Sequence, residues 1–376
     1  MNVDYLIVGS GLTGAVIART LIDAGRNVLV LERRSHVGGN VHDDVHSSGI
    51  RIHTYGPHYF RTNDDEVWRF VNRFAGFYKY EPIVKSLVDG QYENWPIVAS
   101  YIRRVVGKSW KPEFTGRPKN FEEASLAMMP RLIYEKFVKG YSEKQWGVPA
   151  AQLSAQLARR FDVREDEEPR LVRHRYQGIP DIGYASFMQK MLEGIPVKLN
   201  CDYLQSRDRF RANRLTIFTG SLDEFYGNDL GRLKYRGQQR HHEFLPAVEF
   251  AQPCAQINNP DPTNGPHIRT LEWKHIMPIE AARRVRGTVL TREVTVTPQD
   301  ANDFEYPFPD EANRRLYQAY RKRAAAIPNL LVTGRLGEYR YYDMDQAIAR
   351  ALLLASRILN GENRLLTMVH SPQLAV

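Results

Sequence analysis

Two short stretches carry residues whose types and spacing could do chemistry. Gly9, Gly11 and Gly14 stand as G-x-G-x-x-G in "YLIVGSGLTGAVIARTLIDAGRNVLVLERRSHVGGN". Glycines so spaced give a tight turn, let backbone approach a pyrophosphate and let a helix pack closely on a strand. Glu32 lies 18 residues beyond Gly14, where a carboxylate can accept hydrogen bonds from an adenosine ribose. The second stretch is "GRLGEYRYYDMDQA", residues 334–347, with three tyrosines, two arginines and two aspartates. Gly334 and Gly337 supply the backbone freedom of a turn. A turn alone needs no three phenols with paired Arg and Asp, so this one is built to hold something.

The elements that must position these residues are legible in part. Tyr5 to Val8 is a short apolar run ending at Gly9, "AVIARTLIDAG" is helix-like and "NVLVLE" is a second buried strand. A helix N-terminus after Gly11 would offer free N–H groups and partial positive charge to phosphates. Residues 99–160 read as mostly helical, with Pro130 marking a break and "GKSWKPEFTGRPKN" a loop. "LPAVEFAQPCAQINN", "HIRTLEWKHI" and "GTVLTREVTVT" read as strands. "RLTIFTG" and "NLLVTG" read as short buried strands returning to the parallel sheet, and "ANRRLYQAYRKRAAA" and "MDQAIARALLLASRIL" as helices. The expected fold class is α/β: a Rossmann-like dinucleotide-binding domain from 1–78, 193–232 and 326–376, a helical insertion over 99–160, and an antiparallel β-sheet domain from 79–98, 161–192 and 233–325.

Composition sets the outer limits. The 376 residues are 43% hydrophobic and 25% charged, as in an ordinary soluble globular protein. No run of 18 apolar residues argues for a membrane span, and the start shows no basic leader, so a cytoplasmic protein is expected. Cys201 and Cys254 supply neither a disulfide framework nor a zinc site. The net charge of +9 comes from dispersed basic residues; without a basic–aromatic stripe, nucleic acid is not an expected partner.

Beyond Glu32, the basic pair and second glycine pair of "RRSHVGGN" resemble the extended motif of the FAD-dependent family that includes amine oxidases. Four further motifs follow in order: "YGPHYFRT" (55–62), "FVKGYSEKQWG" (137–147), "TGSLDEFYG" (219–227) with "GRLKYR" (231–236), and "GRLGEYRYYDMD" (334–345). Over nearly the whole chain they resemble the prokaryotic UDP-galactopyranose mutases. The resemblance implies an isomerase, active with reduced FAD, that interconverts pyranose and furanose forms of a nucleotide-diphosphate hexose. In that family flavin N5 attacks the anomeric carbon, the nucleoside diphosphate departs, and the sugar opens and recloses through a different hydroxyl. It also implies an external reductant such as NAD(P)H and a homodimer.

Carried over residue by residue, the resemblance implies FAD contacts by Gly9, Gly11, Leu12, Thr13 and Gly14, then Glu32, Arg33, Gly39 and Asn40, and later Gly220, Arg335, Asp343 and Met344. His58 should approach the flavin, and Arg335 should balance its charge. Tyr341 and Tyr320 should reach the diphosphate, Tyr141 should stack on the base and Trp146 should lie by the sugar–phosphate. Arg164 should close over the diphosphate from the mobile loop. Plainer readings stand beside these: Tyr320 or Tyr341 as a half-buried tyrosine with a satisfied hydroxyl, Trp146 as core, Arg164 as an ion pair among acids, His58 as a satisfied core histidine.

Departures from the family pattern cluster around the substrate. The second phosphate arginine falls on Val296, an amide position on Val98, a motif proline on Ser221 and a histidine on Arg61, while an aromatic pair after Arg164 is replaced by "EDEEPRL". Arg61 or Arg170 is expected to stand in for the lost arginine. The acids suit the adjacent N–H donors of guanine, which makes a GDP-hexose an alternative to UDP-galactose. A competing class is an FAD-dependent oxidoreductase of an amine or alcohol.

Overall fold

The structure is a computed structural model and describes residues 2–107 and 109–361. Its centre is a five-stranded parallel sheet ordered Val197–Lys198, Val28–Leu31, Asn2–Val8, Arg211–Phe218 and Leu330–Val332. Leu6, Ile7 and all of Val28–Leu31 are buried, the continuous apolar pattern of strands covered on both faces. Helix Leu12–Asp23 buries Val16, Ile17 and Leu21 in the same core as Ile348 and Leu354 of helix Met344–Leu359. The latter helix starts with a capping box, Asp343 reaching the backbone of Gln346 and Gln346 returning to the Asp343 N–H. All five strands fall in the three segments expected for the cofactor domain; residues 362–376 of the last segment lie outside the described residues.

Helix Tyr184–Met191 requires one correction. It lies within the 161–192 segment assigned to the sheet domain, yet Phe187, Met188 and Met191 are buried in the cofactor-domain core. A second sheet of seven strands runs Tyr306–Pro307, Tyr235–Leu245, Thr288–Val296, His267–Glu272, Gln256–Asn258, Val84–Val88 and Gln91–Trp95. Its pairs are antiparallel except Gln256–Asn258 with Val84–Val88, which are parallel. "LPAVEFAQPCAQINN" is therefore a strand only at its end. Residues 246–253 are exposed or half-buried turns around Pro246 and Pro253, which cannot donate to a ladder.

Residues 99–160 form short helices with their own core around Phe121, Ile133, Phe137 and Leu157, packed against the second sheet. Pro130 caps helix Arg131–Ile133, which passes through a π-helical turn, Tyr134–Lys139, into Gly140–Trp146.

Candidate active site

Two adjoining cavities share a wall. The larger, with roughly 1180 Å³ of empty space, runs from the glycine turn to Arg335 and Tyr342–Met344. The smaller, roughly 630 Å³, lies between Tyr55–Arg61, Arg269, Glu305, Tyr306 and Tyr341. Asn40, His58, Arg335, Asp343 and Met344 line both, so the tyrosine-rich turn is the partition between them.

The larger cavity has a floor of bare backbone. A Cβ on Gly14 would stand 2.0 Å from the Gly9 carbonyl oxygen, and one on Gly39 would stand 3.0 Å from Gly11 Cα. Gly11 caps helix Leu12–Asp23 with no side-chain hydrogen bond, leaving first-turn N–H groups for an anion. Glu32 is buried and fixed by three donors: Ser10 N–H at 2.8 Å, Ser10 O–H at 2.7 Å and Arg34 N–H at 2.9 Å. Arg33 pairs with Glu224 on the same wall. Leu12, Thr13 and Gly220 also line this cavity. A long cradle with a bare glycine floor, ending in an uncapped helix and a fixed carboxylate, fits a dinucleotide.

The smaller cavity is cationic and aromatic. Arg335 donates to the carbonyls of Glu305 (3.3 Å) and Tyr342 (3.1 Å), so the carboxylates nearby leave its charge available. Arg61 pairs with Asp343 at 2.9 Å. The Tyr341 ring lies 4.0 Å from the Arg160 guanidinium and 5.1 Å from that of Arg335, and it stacks on Tyr306. His58 donates from Nδ1 to the Gly56 carbonyl at 2.7 Å in its neutral form. Burial, then His53 and Arg335, push its pKa down to about 3, so its free Nε2 is an acceptor at neutral pH.

Beneath this cavity lies a buried charge network that the sequence did not disclose. The carboxylate of Glu293, fully buried, bridges Arg240 at 2.9 Å and Arg269. Arg240 also pairs with Glu305 at 2.9 Å. Burial works against the Glu293 charge, but Arg269 and Arg240 together hold its carboxyl below the usual range. Burial wins at Glu305 and pushes it up, against the pull of Arg240. Arg269 and Glu305 both line the cavity. These residues come from three neighbouring strands and a loop: Glu293 stands in register with Arg240 on one side and Arg269 on the other, and Glu305 joins from outside the strands.

Several residues expected at the site stand elsewhere in this conformation. Arg164 is 4% exposed and spends its guanidinium on Asp162 and on the carbonyls of Glu168, Arg170 and Leu171. It staples its own loop. Arg170 pairs with Glu168 and Glu81, both at 2.7 Å, and lines neither cavity. Of the acids expected to suit guanine, Asp166 is engaged by Arg173, Glu167 by Ser100 and Glu168 by Arg170, while Glu165 is exposed. The Tyr320 hydroxyl accepts from Leu230 N–H at 2.9 Å and donates to the Gly231 carbonyl at 2.8 Å. Fully buried, it pins a turn and reaches no cavity. Trp146 is core, edge-on to Phe308. Tyr141 is half-buried beside Arg269, Arg160 and Tyr341, and burial raises its phenol pKa. Ser221 is buried against Tyr235 and Asp223.

The chain is similar to known proteins along most of its length. An NAD(P)-binding Rossmann-like domain profile matches residues 7–74, and the UDP-galactopyranose mutase family profile matches residues 136–341. The chain is 32% identical over 375 residues to a probable UDP-galactopyranose mutase of Klebsiella pneumoniae, covering 96% of both chains. It is 29% identical over 373 residues to dTDP-fucopyranose mutase of Escherichia coli, covering 92% of this chain and 96% of that one. A crystal structure of reduced UDP-galactopyranose mutase shares the fold with a TM-score of 0.73 at 15% identity, over 95% of this chain and 96% of that one. With more than half of the chain under the family profile and a relative above 30% identity along nearly all of it, the chain belongs to the UDP-galactopyranose mutase family.

Proposed function

We propose that this enzyme interconverts the pyranose and furanose forms of a pyrimidine nucleoside-diphosphate hexose, using FAD in its reduced state. The single observation that carries the reading is the shared wall: a dinucleotide cradle opens onto a cationic cavity through Arg335, Asp343 and Met344. Reduced FAD, when bound, supplies the nucleophilic nitrogen that takes the anomeric carbon. The protein's tasks are then to position the sugar, receive a departing diphosphate and exclude water.

Arg335, Arg61 and the cavity-facing end of Arg269 are the cations placed to receive the diphosphate, with Arg269 taking the part that Val296 vacates. Tyr341, held between Arg160 and Arg335, presents its hydroxyl to the same space. Neutral His58 accepts a hydrogen bond at the flavin end. The relatives named above act on UDP-galactose and dTDP-fucose, both with pyrimidine bases, which supports a pyrimidine here. A homodimer in the cytoplasm, reduced by NAD(P)H, belongs to the same reading.

The test is to incubate FAD-loaded protein, oxidised or dithionite-reduced, with UDP-, dTDP- and GDP-hexopyranoses and to follow products by chromatography. Conversion of a UDP- or dTDP-sugar by the reduced form alone is the expected result. Turnover of an amine or alcohol with an electron acceptor, and no isomerisation, would sink the proposal.

A further inference from the structure

We propose that His36 and Tyr55 form a proton relay between solvent and the smaller cavity, an inference that rests on the mutase reading above. Tyr55 lines that cavity, and its hydroxyl lies 2.9 Å from His36 Nε2. His36 is half-buried and lines neither cavity, so its ring connects the tyrosine to the protein's outer side. The Val37 carbonyl lies 2.9 Å from His36 Nδ1. A carbonyl only accepts, so the neutral ring carries its proton on Nδ1 and presents Nε2 as an acceptor. The Tyr55 O–H therefore donates to His36. When His36 gains a second proton, Nε2–H becomes the donor, and the Tyr55 O–H is released toward the cavity.

The transfer balances. Tyr55 gives its proton to an oxygen in the cavity and takes the Nε2 proton of imidazolium, leaving neutral His36 to be reprotonated by water. The reverse sequence removes one proton from the cavity. A pyranose-to-furanose exchange needs one of each: the old ring oxygen becomes a hydroxyl and gains a proton, and the hydroxyl that becomes the new ring oxygen loses one. No net proton is consumed, which suits a reversible relay better than a fixed acid.

The surroundings leave the relay intact. His42 packs against His36 with tilted rings, centroids 4.0 Å apart; its own Nδ1 is engaged by Thr54, which donates to Asp44. Burial, then His36, push the His42 pKa down, so His36 faces a neutral ring and not a second cation. The Arg34 guanidinium lies 4.5 Å over the Tyr55 ring and is held by Asn40. Burial pushes the Tyr55 phenol up and keeps it protonated; Arg34 pulls it down, and Glu32, Asp303 and Asp44 add to the rise.

The experiment uses FAD-loaded wild type, His36→Gln and Tyr55→Phe, with FAD absorbance and melting confirming that each variant folds and holds cofactor. In ¹⁵N-labelled wild type, NMR should find the neutral His36 proton on Nδ1. Tyr55→Phe should lower kcat about a hundredfold, the low end for a positioned proton donor, with KM changed less than threefold. His36→Gln should erase one limb of the wild-type kcat–pH profile. A neutral proton on Nε2, an unchanged pH limb in His36→Gln, or wild-type kcat in Tyr55→Phe overturns the relay alone. Absence of any isomerisation by reduced wild type overturns the mutase reading on which it rests.

Discussion

Replacing Glu293 by glutamine probes the charge network beneath the smaller cavity. Glu293 is fully buried and is the only carboxylate among the described contacts that bridges both Arg240 and Arg269. Glutamine keeps the size and removes the charge, leaving Arg269 without a carboxylate in the described contacts and Arg240 with Glu305 alone. Removing one partner of a buried ion pair costs about 3–5 kcal/mol. An unfolding entropy of ~2.1 cal/mol/K per residue gives about 0.8 kcal/mol/K for a chain of this length, so the melting temperature should fall about 4–6 °C. The effect should depend on pH in a defined direction. The folded carboxyl is held below its usual value of 4.5, so its stabilisation is fully present above that value and is lost as pH falls through the folded pKa. The gap between wild type and Glu293→Gln, read by scanning calorimetry, should therefore narrow as pH drops from 7 toward 3. Removing the Arg269 charge as well should recover part of the loss. A fall of less than 1 °C at pH 7, or a double variant worse than the sum of the singles, would refute the reasoning.

Three other outcomes follow from the geometry. Gly14→Ala forces a methyl against the Gly9 carbonyl and should abolish FAD retention, seen as loss of flavin absorbance in the purified protein. Tyr320→Phe removes two partly buried hydrogen bonds to backbone and should destabilise by about 1–3 kcal/mol in urea while leaving substrate KM unchanged; a large KM rise would restore the phosphate role. Arg61→Ala should weaken nucleotide-sugar binding about tenfold or more, measured by flavin fluorescence, because it removes a cavity cation and leaves Asp343 uncompensated.

The legible parts of this protein are those written within a few residues of one another. The glycine turn, its helix and Glu32 are encoded locally, and every cofactor residue expected from that stretch lines the larger cavity. The capping box at Asp343 and Gln346 is equally local. Strand Tyr235–Leu245 escaped notice because "YRGQQRHHEFL" is largely polar, with most of its second half exposed. The charge network escaped because its members meet through strand pairing and burial, which no spacing in the chain records. Arg164 matched a motif and Arg170 was expected to stand in for a lost arginine, yet the structure engages both with partners that include acids or carbonyls of their own loop. Local acids compete with a distant phosphate, and a motif comparison weighs only the match.

The central strand Asn2–Val8 pairs with Arg211–Phe218, whose first partner residue, Arg211, comes 209 positions after Asn2. On a ribosome moving at ~5–20 residues per second, that wait is about 10–40 s. The partition residues Arg335 to Met344 emerge later still. A nascent chain thus exposes an apolar half-sheet long before it can grip its cofactor, and flavin capture becomes the last act of biogenesis. Chaperone demand during that interval, more than equilibrium stability, would set how much active protein a cell obtains.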